Sequence, residues 1–277
     1  PMVGGQDELV FDGGSFVVDK NGEFIYVAPQ FKEDFFTFDI ELEVTDTVSE
    51  SNLLLNEKNI KIEPLLSSNN LNKTESMYSA LKLGLSDYVT KNKFEKVLVG
   101  LSGGIDSALT PTIACDALSP ENVIGVAMPS KYNPDSSLED AKKLAKNLGI
   151  EIKEINIEDT VENFRELLGN NTDEKLASVV DENIQSRVRG NILMALSNQL
   201  GAMVVSTGNK SEMAVGYATL YGDLVGGFAL LKDVYKADVY NLANYRNSIS
   251  DVIPKSTILK EPSAELSNDQ FDSDTLP

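Results

Sequence analysis

The sequence predicts an α/β fold: a doubly wound parallel sheet preceded by a short β segment. Apolar, strand-like runs recur at KVLVGL, NVIGVAM, IEIKEINI and AMVVST, separated by stretches with helical spacing. Their unbroken apolar character suits parallel strands covered on both faces. Three of the runs end in segments rich in glycine or hydroxyl groups: Ser102-Gly103-Gly104-Ile105-Asp106-Ser107, Met128-Pro129-Ser130 and Ser206-Thr207-Gly208-Asn209-Lys210. Ligands of doubly wound sheets collect beyond the carboxyl ends of the strands, so these segments frame the expected site.

Taken in order, the chain changes character twice. From Glu8 to Glu43 the pattern is short and β-like: FVVD, a turn at Asn21-Gly22, EFIYVA, then the alternating FFTFDIELE. Thr45 to Lys73 is rich in Ser, Asn and Glu, lacks helical periodicity and reads as a linker. Thr74 is then the expected N-cap of a helix carrying Met77, Leu81, Leu85 and Tyr88 on one face. Ser136-Ser137-Leu138-Glu139 has the spacing of a capping box opening DAKKLAKNL. Asp173 to Gln199 is a long helical stretch whose Leu176, Val180, Ile184 and Leu193 either serve a partner subunit or cover the sheet.

Composition excludes several chemistries. The 277 residues contain no histidine, so histidine triads, general bases and metal sites are ruled out. The single Cys115 forms no intrachain disulfide and reads as a small core residue. A net charge of −19 argues against nucleic acid, because any anion must be held locally against the overall field. Without a signal-peptide pattern or a long apolar run, a soluble, cytoplasmic protein with no membrane partner is expected. The Asn-x-Ser/Thr triplets at Asn72, Asn170 and Asn209 then carry no glycosylation meaning.

The segment LVGLSGGIDSAL reads as a phosphate site. Gly103 and Gly104 permit a tight turn that turns bare N–H groups on an anion, and the following helix adds the positive end of its dipole. Ser102 and Ser107 offer hydroxyl donors, and Asp106 offers a hard oxygen ligand for the Mg2+ that accompanies nucleotide phosphates. The plainer readings are a glycine turn between strand and helix, with Asp106 as a helix cap. No Gly-Lys-Ser or Gly-Lys-Thr ending is present, which excludes a Walker-type loop. The string resembles the pyrophosphate-binding loop of ATP pyrophosphatases. Downstream, Ser206 to Arg246 is dense in glycine and polar groups, as a substrate-closing loop would be. Glu212, Asp223 and Lys236 within it also have ordinary readings as a helix carboxylate, a turn former and a surface cation.

Together, SGGIDS, TGNKSE, YGDLVGGF and the upstream Glu182-Asn183-Ile184-Gln185-Ser186-Arg187-Val188-Arg189 closely resemble NAD synthetase of the glutamine-dependent type. The resemblance implies an adenine nucleotide alpha hydrolase-like, Rossmann-like domain over 74–277 that stops short of the family's C-terminal helices. It also implies that 1–44 is the closing remnant of a nitrilase-like glutaminase domain, with 45–73 as linker. The activity it implies is ATP-dependent amidation of deamido-NAD through an adenylated intermediate, with ammonia from glutamine in full-length members and free ammonia here. Carried over by position, Ser102, Gly103, Gly104, Asp106, Ser107, Met128, Thr207 and Ser263 bind ATP. Asp106 and Glu212 hold Mg2+, while Asn183, Arg187, Glu212 and Lys236 contact deamido-NAD. Asp106, Lys236 and Asp223 carry the catalytic roles, and a homodimer or larger homo-oligomer is implied. A related ATP pyrophosphatase acting on another acceptor, or a silent nucleotide-binding module, are the alternatives.

Overall fold

The structure, a computed structural model, describes residues 2–38, 71–169, 178–261, 263 and 265–267. The chain divides into two compact units, one of Pro1–Gly4 with Phe11–Leu71 and one of Gly5–Val10 with Asn72–Pro277. Strand pairing starts earlier than the expected Glu8: β1 (Val3–Gln6) and β2 (Leu9–Asp12) form a two-stranded sheet. In the first unit, β3 (Phe16–Val18) and β4 (Phe24–Val27) make the antiparallel hairpin anticipated around Asn21-Gly22. Its turn owes as much to Asp19, whose Oδ1 accepts from the N–H groups of Asn21 and Glu23, both at 2.8 Å. The alternating FFTFDIELE does not form the expected strand at 35–38, where the Phe36 ring instead packs tilted against Tyr26 at 3.8 Å between ring centroids. Residues 39–43 of that string, and nearly all of the expected linker, lie outside the described residues.

The second unit is the predicted α/β domain. In chain order it contains α1 (Lys73–Lys91), β5 (Val97–Leu101), α2 (Ile105–Leu118), β6 (Val123–Ala127), α3 (Asp135–Leu148) and β7 (Glu151–Glu154). There follow α4 (Glu158–Gly169), α5 (Ser178–Leu200), β8 (Met203–Ser206), α6 (Lys210–Val215), β9 (Phe228–Ala229), α7 (Lys236–Ile249) and α8 (Lys255–Leu259). The strands form one parallel five-stranded sheet in the order β7-β6-β5-β8-β9. The central β5 is buried on both faces and divides its side chains between two cores. Val97, Val99 and Leu101 join α1, α2, α3 and α7, whereas Leu98 joins β6 residues, α4 and α5. This alternation follows from the two-residue period of a strand, and continuous apolar sequence is its consequence.

Two capping expectations are corrected. Asn72, not Thr74, caps α1: its side chain accepts from Glu75 N at 3.0 Å and Glu75 Oε2 accepts from Asn72 N at 3.1 Å. The box at Ser136 does not form, because α3 already begins at Asp135 after Pro134, with no side-chain cap. In α5, Ile184 and Leu193 pack on the sheet rather than being free for a partner, while Val180 stays exposed and Leu176 lies outside the described residues. Cys115 is buried in α2, as expected of a core residue, with its thiol pushed up to about 12 by burial first and Asp116 second. Among the described residues no helix is long and apolar enough to cross a membrane.

Candidate active site

A cavity of about 430 Å³ opens at the carboxyl ends of β5, β6 and β8. The chain leaves β5 for β6 on one side and places β8 on the other, so the cavity sits at the switch point of strand order. Its floor is the turn from β5 into α2. Gly103 there has φ +82°, and an added Cβ would stand 2.5 Å from the Ser137 carbonyl oxygen, so only glycine fits. Gly103 therefore backs onto α3, while Ser102, Gly104, Asp106 and Ser107 face the cavity. The hydroxyls of Ser102 and Ser107 lie 2.8 Å apart, and Ser107 Oγ donates to the Gly104 carbonyl at 3.0 Å, tying the turn to itself. No side chain caps the N-terminus of α2, leaving its first N–H groups for an anion.

Asp106 is not a cap. Its Oδ1 accepts from Asn209 Nδ2 at 2.9 Å, and its Oδ2 pairs with the Lys236 ammonium. Asn209 is fully buried at the N-cap of α6, where it forms a capping box with Glu212. Glu212 Oε2 accepts from Asn209 N at 3.0 Å, while Oε1 lies 3.9 Å from Lys236 Nζ. Two carboxylates from opposite sides of the switch point thus share one ammonium. Burial works against the charge on Lys236, yet Asp106 and then Glu212 hold its pKa above the usual lysine value. It is a cation throughout the neutral range.

Met128 and Thr207 line the cavity at the ends of β6 and β8, and Ser263 lines it from the chain beyond α8. On α5, the residues facing the cavity include Asn183, Ser186, Arg189 and Gly190. Asn183 Oδ1 accepts from Thr219 Oγ1 at 2.7 Å, and Asp223 Oδ1 accepts from Thr219 N at 2.7 Å. Asp223 is held above the usual carboxyl range by burial, partly offset by backbone N–H groups of Thr219, Asp223 and Leu224 and by Arg189. The 219–222 turn sits directly on small residues of α5: a Cβ on Gly190 would lie 2.9 Å from the Gly222 carbonyl oxygen.

Arg187 does not line this cavity; its Nε donates to the Leu220 carbonyl at 3.2 Å. One residue along a helix turns it by about 100°, which carries Arg187 past the edge of the face that Ser186 presents. The guanidinium in the cavity belongs to Arg189, which donates from Nε to the Met128 carbonyl at 3.1 Å and from Nη2 to Asn133 Oδ1 at 3.1 Å. Burial pushes its pKa down to about 10, against the opposing pull of Glu265 and Asp223. An incoming anion relieves that cost. Sequence reasoning missed Asn209 and Arg189. The Asn209-x-x-Glu212 spacing is a capping-box signal for the first, while for the second only the helical phase of α5 separates it from Arg187.

The sequence matches the family described as NAD synthase over residues 77–277. The chain is 48% identical, over an alignment 298 positions long, to the glutamine-dependent NAD(+) synthetase of Thermotoga maritima, covering 100% of this chain and 51% of that protein. It superposes on glutamine-dependent NAD+ synthetase from Acinetobacter baumannii in complex with ADP with a TM-score of 0.81 and 44% identity, covering 95% of this chain and 48% of that one. NMN synthetase from Francisella tularensis gives a TM-score of 0.66 at 30% identity, over 73% of this chain and 81% of that one. The chain spans about half the length of the curated relatives it matches.

Proposed function

Because this chain belongs to the NAD synthase family, we propose that its cavity binds ATP and deamido-NAD and converts the nicotinate carboxylate into the amide of NAD. The observation that carries the reading is the convergence of Asp106, Lys236 and Glu212 beside the uncapped start of α2. The N–H groups of that turn and the hydroxyl of Ser102 take the ATP phosphates. Arg189 and Asn183, on the α5 face, take the second substrate. The nicotinate carboxylate attacks the α-phosphorus of ATP and pyrophosphate leaves, giving an acyl adenylate. Ammonia then attacks the carbonyl carbon, AMP departs with one former carboxylate oxygen, and a proton is lost. Lys236 gives up Asp106 for phosphate oxygens and stabilises charge as it develops on them.

Asp106 and Glu212 fit a magnesium ion, since both already face a single cation position. Magnesium commonly takes one or two carboxylates and completes its shell with substrate phosphate and water. Bound there, the ion would neutralise charge on the departing pyrophosphate. Residues 1–44 are read as the closing part of a glutaminase domain, with 45–73 as its linker.

Calorimetric titration in the presence of ATP and magnesium tests the substrate. Binding of deamido-NAD with no binding of xanthosine monophosphate or transfer RNA is expected. Tighter binding of nicotinate mononucleotide than of deamido-NAD would move the acceptor to that of an NMN synthetase and overturn the reading.

A further inference from the structure

Beyond α8 the chain returns across the cavity, where Lys260, Ser263 and Glu265 all line it. Glu265 is 8% exposed and has φ +53°, a left-handed conformation that a non-glycine residue adopts only when its surroundings impose it. Its carboxylate supplies the reason. Oε1 accepts from Ser137 Oγ at 2.7 Å and pairs with the Lys260 ammonium, while Oε2 accepts from Asn133 Nδ2 at 3.0 Å. Its own N–H donates to Ser263 Oγ at 3.1 Å. The next residue is held as well, with the Leu266 carbonyl accepting from the fully buried Gln185 at 3.0 Å.

Two partners of Glu265 lead onward, Ser137 to the phosphate loop and Asn133 to the cavity's guanidinium. Ser137 is the residue whose backbone Gly103 of the phosphate loop touches. Asn133 carries the bond from Arg189 on its other side-chain atom. One carboxylate on the returning segment therefore ties together α3, the 130–133 loop and the edge of the nucleotide site.

Resting on the nucleotide-binding reading above, we propose that Glu265 is a positioning residue for ATP. It never touches the reacting atoms; it holds the returning segment so that Lys260 and Ser263 face the phosphate loop, and it fixes Ser137 behind Gly103. Lys260 then adds a second cation, besides Lys236, on the phosphate side of the cavity. The proposal separates Glu265 from a residue that merely stabilises the fold. Its removal weakens ATP binding, because Ser137 behind the phosphate loop and Lys260 lose the carboxylate that holds them, while among the described residues the strands of the sheet make no bond to it.

The test compares the purified chain with Glu265→Ala and with Glu265→Gln, which keeps the shape but loses the charge facing Lys260. Two readouts are taken: calorimetric affinity for magnesium-ATP, and hydrogen exchange of peptides covering 101–107 and 258–267 without nucleotide. Glu265→Ala is expected to speed exchange in both peptides and to weaken ATP binding about tenfold or more. Glu265→Gln is expected to lie between the two. At saturating ATP the turnover of Glu265→Ala is expected to stay within threefold of normal, so that the defect falls on KM. Unchanged ATP affinity despite a loosened 258–267 peptide would overturn the proposal, and so would unchanged exchange at 101–107. If the unaltered chain itself fails to bind ATP, the functional reading falls. The exchange data then still decide whether Glu265 couples the two segments.

Discussion

Replacing Asp106 with Asn isolates charge from shape at the centre of the site. The variant keeps an oxygen able to accept from Asn209 but removes the partner of Lys236. The pair is only partly exposed, with 13% of the Asp106 side chain and 25% of the Lys236 side chain accessible. Two unit charges about 4 Å apart at an effective dielectric near 20 interact by ~4 kcal/mol before desolvation is counted. Glu212, 3.9 Å from the same ammonium, recovers part of the loss. The net stability cost is about 1 to 2 kcal/mol, or roughly 2 to 8 °C in Tm for a domain of this size. The expected loss in magnesium-dependent pyrophosphate release is about a hundredfold or more, equivalent to ~2.7 kcal/mol in the transition state. Arg246→Gln is the control. It breaks a pair with Asp116 of similar burial, on α7 but outside the cavity, and should lower Tm comparably while leaving turnover near normal. Calorimetry and a pyrophosphate assay on the three proteins decide the matter. Near-normal turnover in Asp106→Asn, at saturating magnesium, would show that Asp106 serves the fold alone.

Three further outcomes follow from the same geometry. Asp223 has a raised folded-state pKa, so its ionised form costs stability above that value, and the cost disappears as pH falls below the ordinary 3.8. Asp223→Asn is therefore expected to raise Tm at pH 7, with the advantage vanishing as the pH falls below about 3.8 in a calorimetric series. Gly190→Ala places a Cβ 2.9 Å from the Gly222 carbonyl oxygen, which forces the 219–222 turn off α5. A cost of about 1 to 3 kcal/mol and weakened deamido-NAD binding with near-normal ATP binding are expected by titration. Ammonium rather than glutamine is expected to support amidation by these 277 residues, because their one cysteine is buried with its thiol pushed up to about 12. Glutamine-dependent product formation free of contaminating ammonium would contradict that.

The sheet was legible because its strands are apolar on both faces, and the tight turn that floors the cavity because glycine and hydroxyl groups follow β5 directly. Asp106 stood out as a candidate ligand from its place after the two glycines, but Glu212 and Lys236 were joined to it only through resemblance, since the convergence links residues up to 130 positions apart. Local pattern failed where a longer-range bond took over. Ser136 and Glu139 have capping-box spacing, yet α3 already begins at Asp135, and the neighbouring Ser137 hydroxyl serves Glu265, 128 residues away. Arg187 and Arg189 look equivalent in sequence, and only the packing of α5 on the sheet decides which one enters the cavity. The part played by the Glu265 carboxylate was not legible, because it comes from three partners that the sequence scatters over α3, the 130–133 loop and the chain after α8.

The central claim is that the carboxylate of deamido-NAD is activated on the α-phosphorus of ATP in this cavity and then takes ammonia. Deamido-NAD carrying oxygen-18 in its nicotinate carboxylate, incubated with the chain, magnesium-ATP and ammonium, tests it directly by mass spectrometry of the nucleotides. The account predicts one labelled oxygen in each AMP and one AMP for each NAD. Unlabelled AMP, or ADP and phosphate in its place, would contradict it.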